Sequence, residues 1–227
     1  MARPFPSFRA VARGALWGVA ALAAAFFALI ALYAFVDPVS TLMVARLLQG
    51  KPYERTAVRL ADVSPAAIAA VVASEDATFC SNDGVDWGAL RGVLAAAGER
   101  GPARGASTLT MQTVKNLFLW PGRSVVRKGV EIPMALVIGK LWPKRRVIEV
   151  YLNIAEWGDG VFGIEAAARR AFHKSAADLD AREGALLATA LPNPRERDPA
   201  RPKPLQRRRA AEVLARAARN SGALACL

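Results

Sequence analysis

The sequence has almost none of the side chains that bind transition metals. It holds one histidine, His173, and two cysteines, Cys80 and Cys226, in 227 residues. Neither the cysteine spacing nor the lone histidine matches a metal-ligand pattern, which argues against a zinc site. Pairing of Cys80 with Cys226 stays open in an oxidising compartment; the simpler expectation is a small buried thiol and a tail thiol. Internal repeats are absent, and strand-like alternation is sparse. Acids are scarce too: 19 Asp and Glu stand against 31 Lys and Arg, a formal charge of +12. That balance implies an anionic partner, whether nucleic acid, an anionic lipid surface or a phosphorylated substrate. The length suits one anchor plus one globular domain of about 150–190 residues.

Charge is missing altogether from Ala15 to Val36, ALWGVAALAAAFFALIALYAFV. At about 1.5 Å per residue this stretch spans a bilayer core of about 30 Å. Arg3, Arg9 and Arg13 precede it, no acid appears before Asp37, and Pro38 follows as a helix stop. The positive-inside rule then gives a cytoplasmic tail over 1–14, a membrane anchor over 15–36 and an external domain over 37–227. A cleaved signal peptide has a shorter apolar core, of about 7–15 residues. A buried core helix seldom stays apolar all round for so long.

The remainder reads as mostly α, with helices separated by Gly and Pro. Ser64-Pro65 has helix-start chemistry, and Ile68, Val71 and Val72 continue with helical spacing. Asp86 is placed to cap a helix with Trp87, Leu90 and Leu94 inward. Ser107 is placed to cap another to about Leu117, and Ser124 a third that reaches Lys140 with a kink at Pro133. Helices are also expected over about Lys144 to Ile154, over Ala185 to Leu191 behind the capping-box pair Asp180 and Glu183, and over the basic Arg207 to Ala218. Glu99 to Gly105 reads as a loop, either a flap or a plain linker. Pro192 to Pro204 carries no assignable chemistry.

Three clusters of polar residues can carry chemistry. In ASEDATFCSNDGVDW, Ala73 to Trp87, Glu75 extends the stripe of Ile68, Val71 and Val72. Partial burial would raise its pKa and suit it to proton transfer, whereas Asp76 points elsewhere. A charged residue at a helix end is the plainer alternative. In GASTLTMQTVKN, Gly105 to Asn116, helical spacing puts Gln112, Lys115 and Asn116 on one face, able to hold a diphosphate or a sugar. A solvated face has the same pattern. In GRSVVRKGVE, Gly122 to Glu131, Arg127 and Lys128 precede Glu131 by four and three residues. This is either a surface ion-pair cluster, worth roughly tenths of a kcal/mol per pair, or a basic patch facing a leaving diphosphate. The Leu117-Phe118-Leu119-Trp120 run between them reads as core, with an apolar lip at a membrane as the alternative.

Together these segments resemble the transglycosylases that polymerise lipid II, both the monofunctional enzymes and the glycosyltransferase domains of penicillin-binding proteins. The matching words are SEDATF with GVD (Ser74 to Asp86), GASTLTMQTVKN, RKGVE (Arg127 to Glu131), YLNIAEWGDGVFGIEAAA (Tyr151 to Ala168) and EGALLATALPNP (Glu183 to Pro194). They cover about Pro52 to Pro194. The small size, with no transpeptidase domain following, points to the monofunctional branch. Two departures stand out: Asn82 replaces a usual histidine, and Met111 an often-found glutamine. Neither removes a proposed proton carrier or phosphate ligand.

The resemblance implies a single lysozyme-like domain that extends glycan strands by inverting transfer from lipid II. Glu75 would be the general base and Glu131 the second acid near the diphosphate. Lys115 and Arg123 would bind phosphate, with Gln112, Asn116, Arg127, Lys128, Ser107 and Thr108 also in the substrate site. It leaves room for a divalent cation, Mg²⁺ or Mn²⁺, near Glu131. It further implies a bacterial inner-membrane location with the domain in the periplasm and cell wall synthesis proteins as partners. Two other classes compete. A lysozyme-like hydrolase would need no phosphate clamp for its uncharged substrate. The other is a membrane-tethered binding protein with a basic face, a scaffold or a nucleic-acid binder, and the outward topology argues against nucleic acid.

Overall fold

The computed structural model describes residues 7–100, 105–122, 124–220, 222 and 224–227. The chain divides into two compact units, Met1–Val36 and Asp37–Leu227. The first contains one helix, α1 (Phe8–Tyr33). It starts at Phe8 rather than Ala15 because Arg9 and Arg13 are good helix formers and simply extend it. It stops at Tyr33, short of Pro38. Residues Arg9–Tyr33 are long and apolar enough to cross a membrane. Leu16, Trp17, Val19 and Leu22 all point outwards, an apolar surface that lipid would bury.

The second unit begins with α2 (Thr41–Leu48), capped by Ser40, and the two-residue strand β1 (Glu54–Arg55). Next comes α3 (Pro65–Glu75). Pro65 opens it at a position where the missing N–H costs nothing, but Ser64 makes no side-chain cap. Six of its eleven residues are buried, and it packs on α9 (Ala181–Ala190) and α10 (Pro204–Arg219). The contact with α9 is so close that a Cβ on Gly184 would lie 2.6 Å from the Ala67 Cα. Asp180 and Glu183 form the expected capping box on α9. Helix α4 (Trp87–Arg100) is capped by Asp86, whose Oδ1 accepts from the Ala89 N–H at 2.8 Å. Trp87 does not turn inward as its spacing suggested: it is 45% exposed, because among the described residues α4 has no extensive partner helix. Leu90 is half-buried, and the side chain of Leu94 lies outside the described residues. Residues 101–104 also lie outside them, so the expected flap is not placed.

A second layer joins α5 (Leu109–Phe118) to α6 (Val125–Leu141) and α7 (Lys144–Ile154). Thr108, not Ser107, caps α5, and Ser124 caps α6. Pro133 sits inside the continuous α6. A small sheet, missed by the sequence reading, follows. Strands β2 (Glu156–Gly158) and β3 (Val161–Phe162) pair antiparallel, and β1 adds parallel to β3, in the order β1-β3-β2. Two or three residues per strand are too few to show alternation. Gly160, with φ of 72°, makes the hairpin turn between β2 and β3. Helix α8 (Ile164–Phe172) ends at the lone histidine, His173, which takes the left-handed conformation usual for a helix C-cap.

The cysteine expectation is corrected. Cys80 and Cys226 form a disulfide that ties the loop after α3 to the chain end. Asn220 Nδ2 donates to the Ala77 carbonyl of the same loop, and Arg145 Nη1 donates to the Leu227 carbonyl. The tail is held in three places, which explains why its cysteine meets a residue 146 positions away.

Candidate active site

Glu75 ends α3 and borders a cavity of about 220 Å³ with Ser74, Asp76, Thr78, Asp86, Ser107 and Thr108. Its carboxylate accepts from Gln112 Nε2 at 3.0 Å and from Ser74 Oγ at 3.1 Å. Both donors are neutral. Burial raises its pKa above the ordinary carboxylate value, and the bonds from Gln112 and Ser74 and the charges of Lys115 and Arg197 offset this in part. Tyr151 of α7 is buried, and its hydroxyl donates to Gln112 Oε1 at 3.2 Å. Burial pushes the Tyr151 phenol well above its usual value, so it stays a donor. Tyr151 therefore fixes which end of the Gln112 amide faces Glu75.

Lys115 lies one turn after Gln112 on α5, and its ammonium makes no hydrogen bond or ion pair among the described residues. Burial lowers its pKa; the charge of Glu131 counters this, while Arg127 and Lys128 add to it and Glu75 opposes it. Asn116 is nearly buried on the same helix.

Glu131 is only 2% exposed, so the cluster around it is no surface ion-pair array. One oxygen takes Arg127 Nη1, and the other accepts from Lys128 Nζ at 2.7 Å. Arg127 Nε also donates to the Gly122 carbonyl, and Lys128 Nζ reaches Ser107 Oγ at 2.8 Å. The helix face that looks solvated in sequence is turned in against α5. Both Glu131 oxygens are thus engaged by cations, and no three His, Cys, Asp or Glu side chains converge among the described residues. These residues do not fit a divalent cation at Glu131.

Of the other expected site residues, Ser107 is the partner of Lys128. Thr108 borders the cavity, but its hydroxyl is committed: it accepts from the Met111 N–H and donates to the Gly84 carbonyl at 2.6 Å. It therefore acts as a helix cap, with its one O–H already donated to Gly84. Arg123 lies outside the described residues.

Three contributors were not legible as site residues. Tyr151 opens one of the words that carry the family resemblance, but nothing in its local spacing assigned it a role at the site. Arg197 lies in the Pro-rich stretch without assignable chemistry; it donates to the Thr189 carbonyl and its charge acts on Glu75. Asp76, which does point away from Glu75, anchors the start of α5. A larger hollow of about 520 Å³ between the β2–β3 hairpin, α8 and residues 194–201 holds neither Glu75 nor Gln112.

A family model described as Transglycosylase matches residues 41–218. The chain belongs to the transglycosylase family. This transglycosylase is 53% identical over 213 residues to a biosynthetic peptidoglycan transglycosylase of Rhodospirillum centenum, covering 92% of each chain. It is 50% identical over 203 residues to the protein of that name from Rhizobium meliloti, with 88% of this chain and 86% of the relative covered. It is 51% identical over 211 residues to the one from Brucella suis, covering 92% and 93%. The matched span of the transglycosylase contains both the Glu75 cavity and the Glu131 cluster.

Proposed function

We infer that this transglycosylase is a peptidoglycan glycosyltransferase that builds glycan strands for the cell wall, and we propose that it does so from lipid II with Glu75 as general base. The observation that carries the proposal is the setting of Glu75. It is a carboxylate with a burial-raised pKa, held by neutral donors, close enough to the Lys115 ammonium to feel its charge. Glu75 takes the proton of the acceptor sugar 4-hydroxyl. That oxygen bonds to the donor anomeric carbon from the face opposite the diphosphate. The bond from this carbon to the diphosphate oxygen breaks, and undecaprenyl diphosphate leaves with the electron pair. A diphosphate leaving group needs its charge met more than it needs a proton, and Lys115, whose ammonium has no partner among the described residues, suits that task. Arg123 is assigned the same task by the family resemblance. Glu131 holds Arg127 and Lys128 in place beside it.

The substrate is lipid-linked, so the site must work at a membrane. α1 is a candidate span, and Arg3, Arg9 and Arg13, all on the N-terminal side of its uncharged stretch, favour a cytoplasmic N-terminus with the enzyme outside the inner membrane. Exposed Trp120, Val125 and Val126 near the Glu131 cluster supply apolar surface for contact with that membrane. The test is incubation of the full chain in detergent with lipid II, followed by muramidase digestion of the product. Muramidase-sensitive polymer from wild type, and almost none from folded Glu75→Gln, is expected. Normal polymerisation by Glu75→Gln would overturn the role of Glu75, and no polymer from wild type would overturn the substrate.

A further inference from the structure

The loop between α3 and α4 is the point where the elements of the site are tied together. Asp76 directly follows Glu75 and is 6% exposed. Its Oδ2 accepts from the Leu109 N–H, the first of α5, at 3.0 Å. A helix leaves its first backbone donors without internal partners, so a buried carboxylate there is both a ligand for the N–H and a favourable charge for the helix end. Gln112 lies one turn further along α5 and donates to Glu75. The path from Glu75 to Asp76, through Leu109 to Gln112 and back to Glu75 is therefore closed. Loosening Asp76 from Leu109 removes one of the two ties on the start of α5, the other being the Thr108 cap, and so gives Gln112 room to shift from Glu75.

Asn82 holds Asp76 in that position. Its Nδ2 lies 3.0 and 3.2 Å from the two Asp76 oxygens. Its Oδ1 accepts from the Gly84 N–H at 3.0 Å and from Lys144 Nζ at 3.2 Å. Lys144 also donates to the Asn82 carbonyl at 2.7 Å and sits 4.7 Å from the centre of the Phe79 ring. With a cation and an N–H on its oxygen side, the amide can present only its NH₂ to Asp76. The loop itself cannot drift, because Gly84 and Gly139 bring its backbone against α6: a Cβ on Gly139 would lie 2.2 Å from the Asp83 carbonyl oxygen. Burial pushes Asp76 upward; the Leu109 N–H, Asn82 and Thr78 pull it back, with Lys144 adding to their effect.

We propose that Asn82, oriented by Lys144, is a positioning residue for glycosyl transfer: it fixes the Asp76 carboxylate on the first N–H of α5 and thereby aligns Gln112 with Glu75. Asn82 touches no reacting atom, so its effect belongs in kcat and runs through Gln112. The assignment rests on Glu75 as the base, and its test includes a readout that does not depend on the reaction.

Asn82→Asp keeps the shape but replaces the donor with a carboxylate facing Asp76. Asn82→His keeps one donor and one acceptor. In the full chain with lipid II, Asn82→Asp is expected to lower kcat about tenfold or more with KM within about twofold, and Asn82→His to restore most of it. In a Gln112→Ala background the same Asn82→Asp change should cost less than about twofold further, since the contact it acts through is already gone. Hydrogen exchange at the Leu109 amide should quicken in Asn82→Asp and not in Asn82→His, whatever the enzyme polymerises. Unchanged kcat in Asn82→Asp, its full effect persisting in Gln112→Ala, or unchanged exchange at Leu109 would each overturn the proposal. Should Asn82→Asp fail to fold, Lys144→Met removes the orienting cation instead, and the same kcat, coupling and exchange outcomes decide. Absence of polymer from wild type would sink the lipid II reading alone and leave the exchange result to judge Asn82.

Discussion

The end of α3 and the middle of α6 each turn one glutamate inward, and they surround it with opposite chemistry. Glu75 is met by an amide and a hydroxyl, Glu131 by a guanidinium and an ammonium. A neutral shell leaves the proton affinity of Glu75 raised by burial, so it is suited to gain and lose a proton. Two cations make Glu131 a fixed counter-charge that arranges its partners. Two inward-facing carboxylates in one site can thus hold different roles, and it is the partners that assign them.

The sharpest way to break this comparison is to neutralise the two acids in turn. Glu75→Gln should lower polymerisation by about 10²–10⁴-fold, as expected for loss of a general base. Its fold should be kept or strengthened. A carboxyl whose pKa is raised on folding contributes stability below its unfolded pKa and loses it as pH rises through the folded value, so above that folded value the ionised Glu75 is a burden that Gln removes. A thermal melt beside the lipid II assay checks both halves.

Glu131→Ala should show the reverse priority, with stability falling first. It strands Arg127 and Lys128 beside a buried gap, and removal of one partner from a buried pair costs about 3–5 kcal/mol. Denaturant unfolding checks this, and a wild-type midpoint would return the cluster to the class of surface ion pairs. Lys115→Ala is expected to lower kcat/KM about tenfold or more through loss of a charge-assisted contact, with little change in stability, because its ammonium has no partner to strand among the described residues.

The smallest effects concern the shell of Glu75. Gln112 and Ser74 both hold its pKa down, Gln112 more strongly. Removing either should raise that pKa, so the acid limb of the pH–rate profile moves to higher pH. The shift should be larger in Gln112→Ala than in Ser74→Ala. An acid limb that stays in place in both variants would show that another group titrates there.

The two acids also differ in how far the sequence revealed them. The stripe of Ile68, Val71 and Val72 already offered Glu75 an apolar surface, with a charged helix end as the open alternative, because helical periodicity is local and survives in any fold. The spacing of Arg127, Lys128 and Glu131 was equally plain, but the same spacing fits a solvated face. Only the packing of α6 on α5 buried it and raised the cost of breaking it. Trp87 shows the opposite error: its apolar character suggested core, and it is left exposed because α4 has no extensive partner helix among the described residues.

By itself the sequence determined what depends on near neighbours. It set the uncharged span of α1, the Ser124 cap, the capping box of α9, the start of α3 at Pro65 and the shared face of Gln112, Lys115 and Asn116. Its ordered motifs also led to the family. Tertiary structure alone decided which residues distant in sequence meet. It set the Cys80–Cys226 disulfide, Tyr151 on Gln112, the reach of Arg197 toward Glu75, and Lys144 on Asn82. Caps and helix faces follow from backbone geometry within about one turn, whereas these pairings depend on where whole helices pack, and no local pattern encodes that.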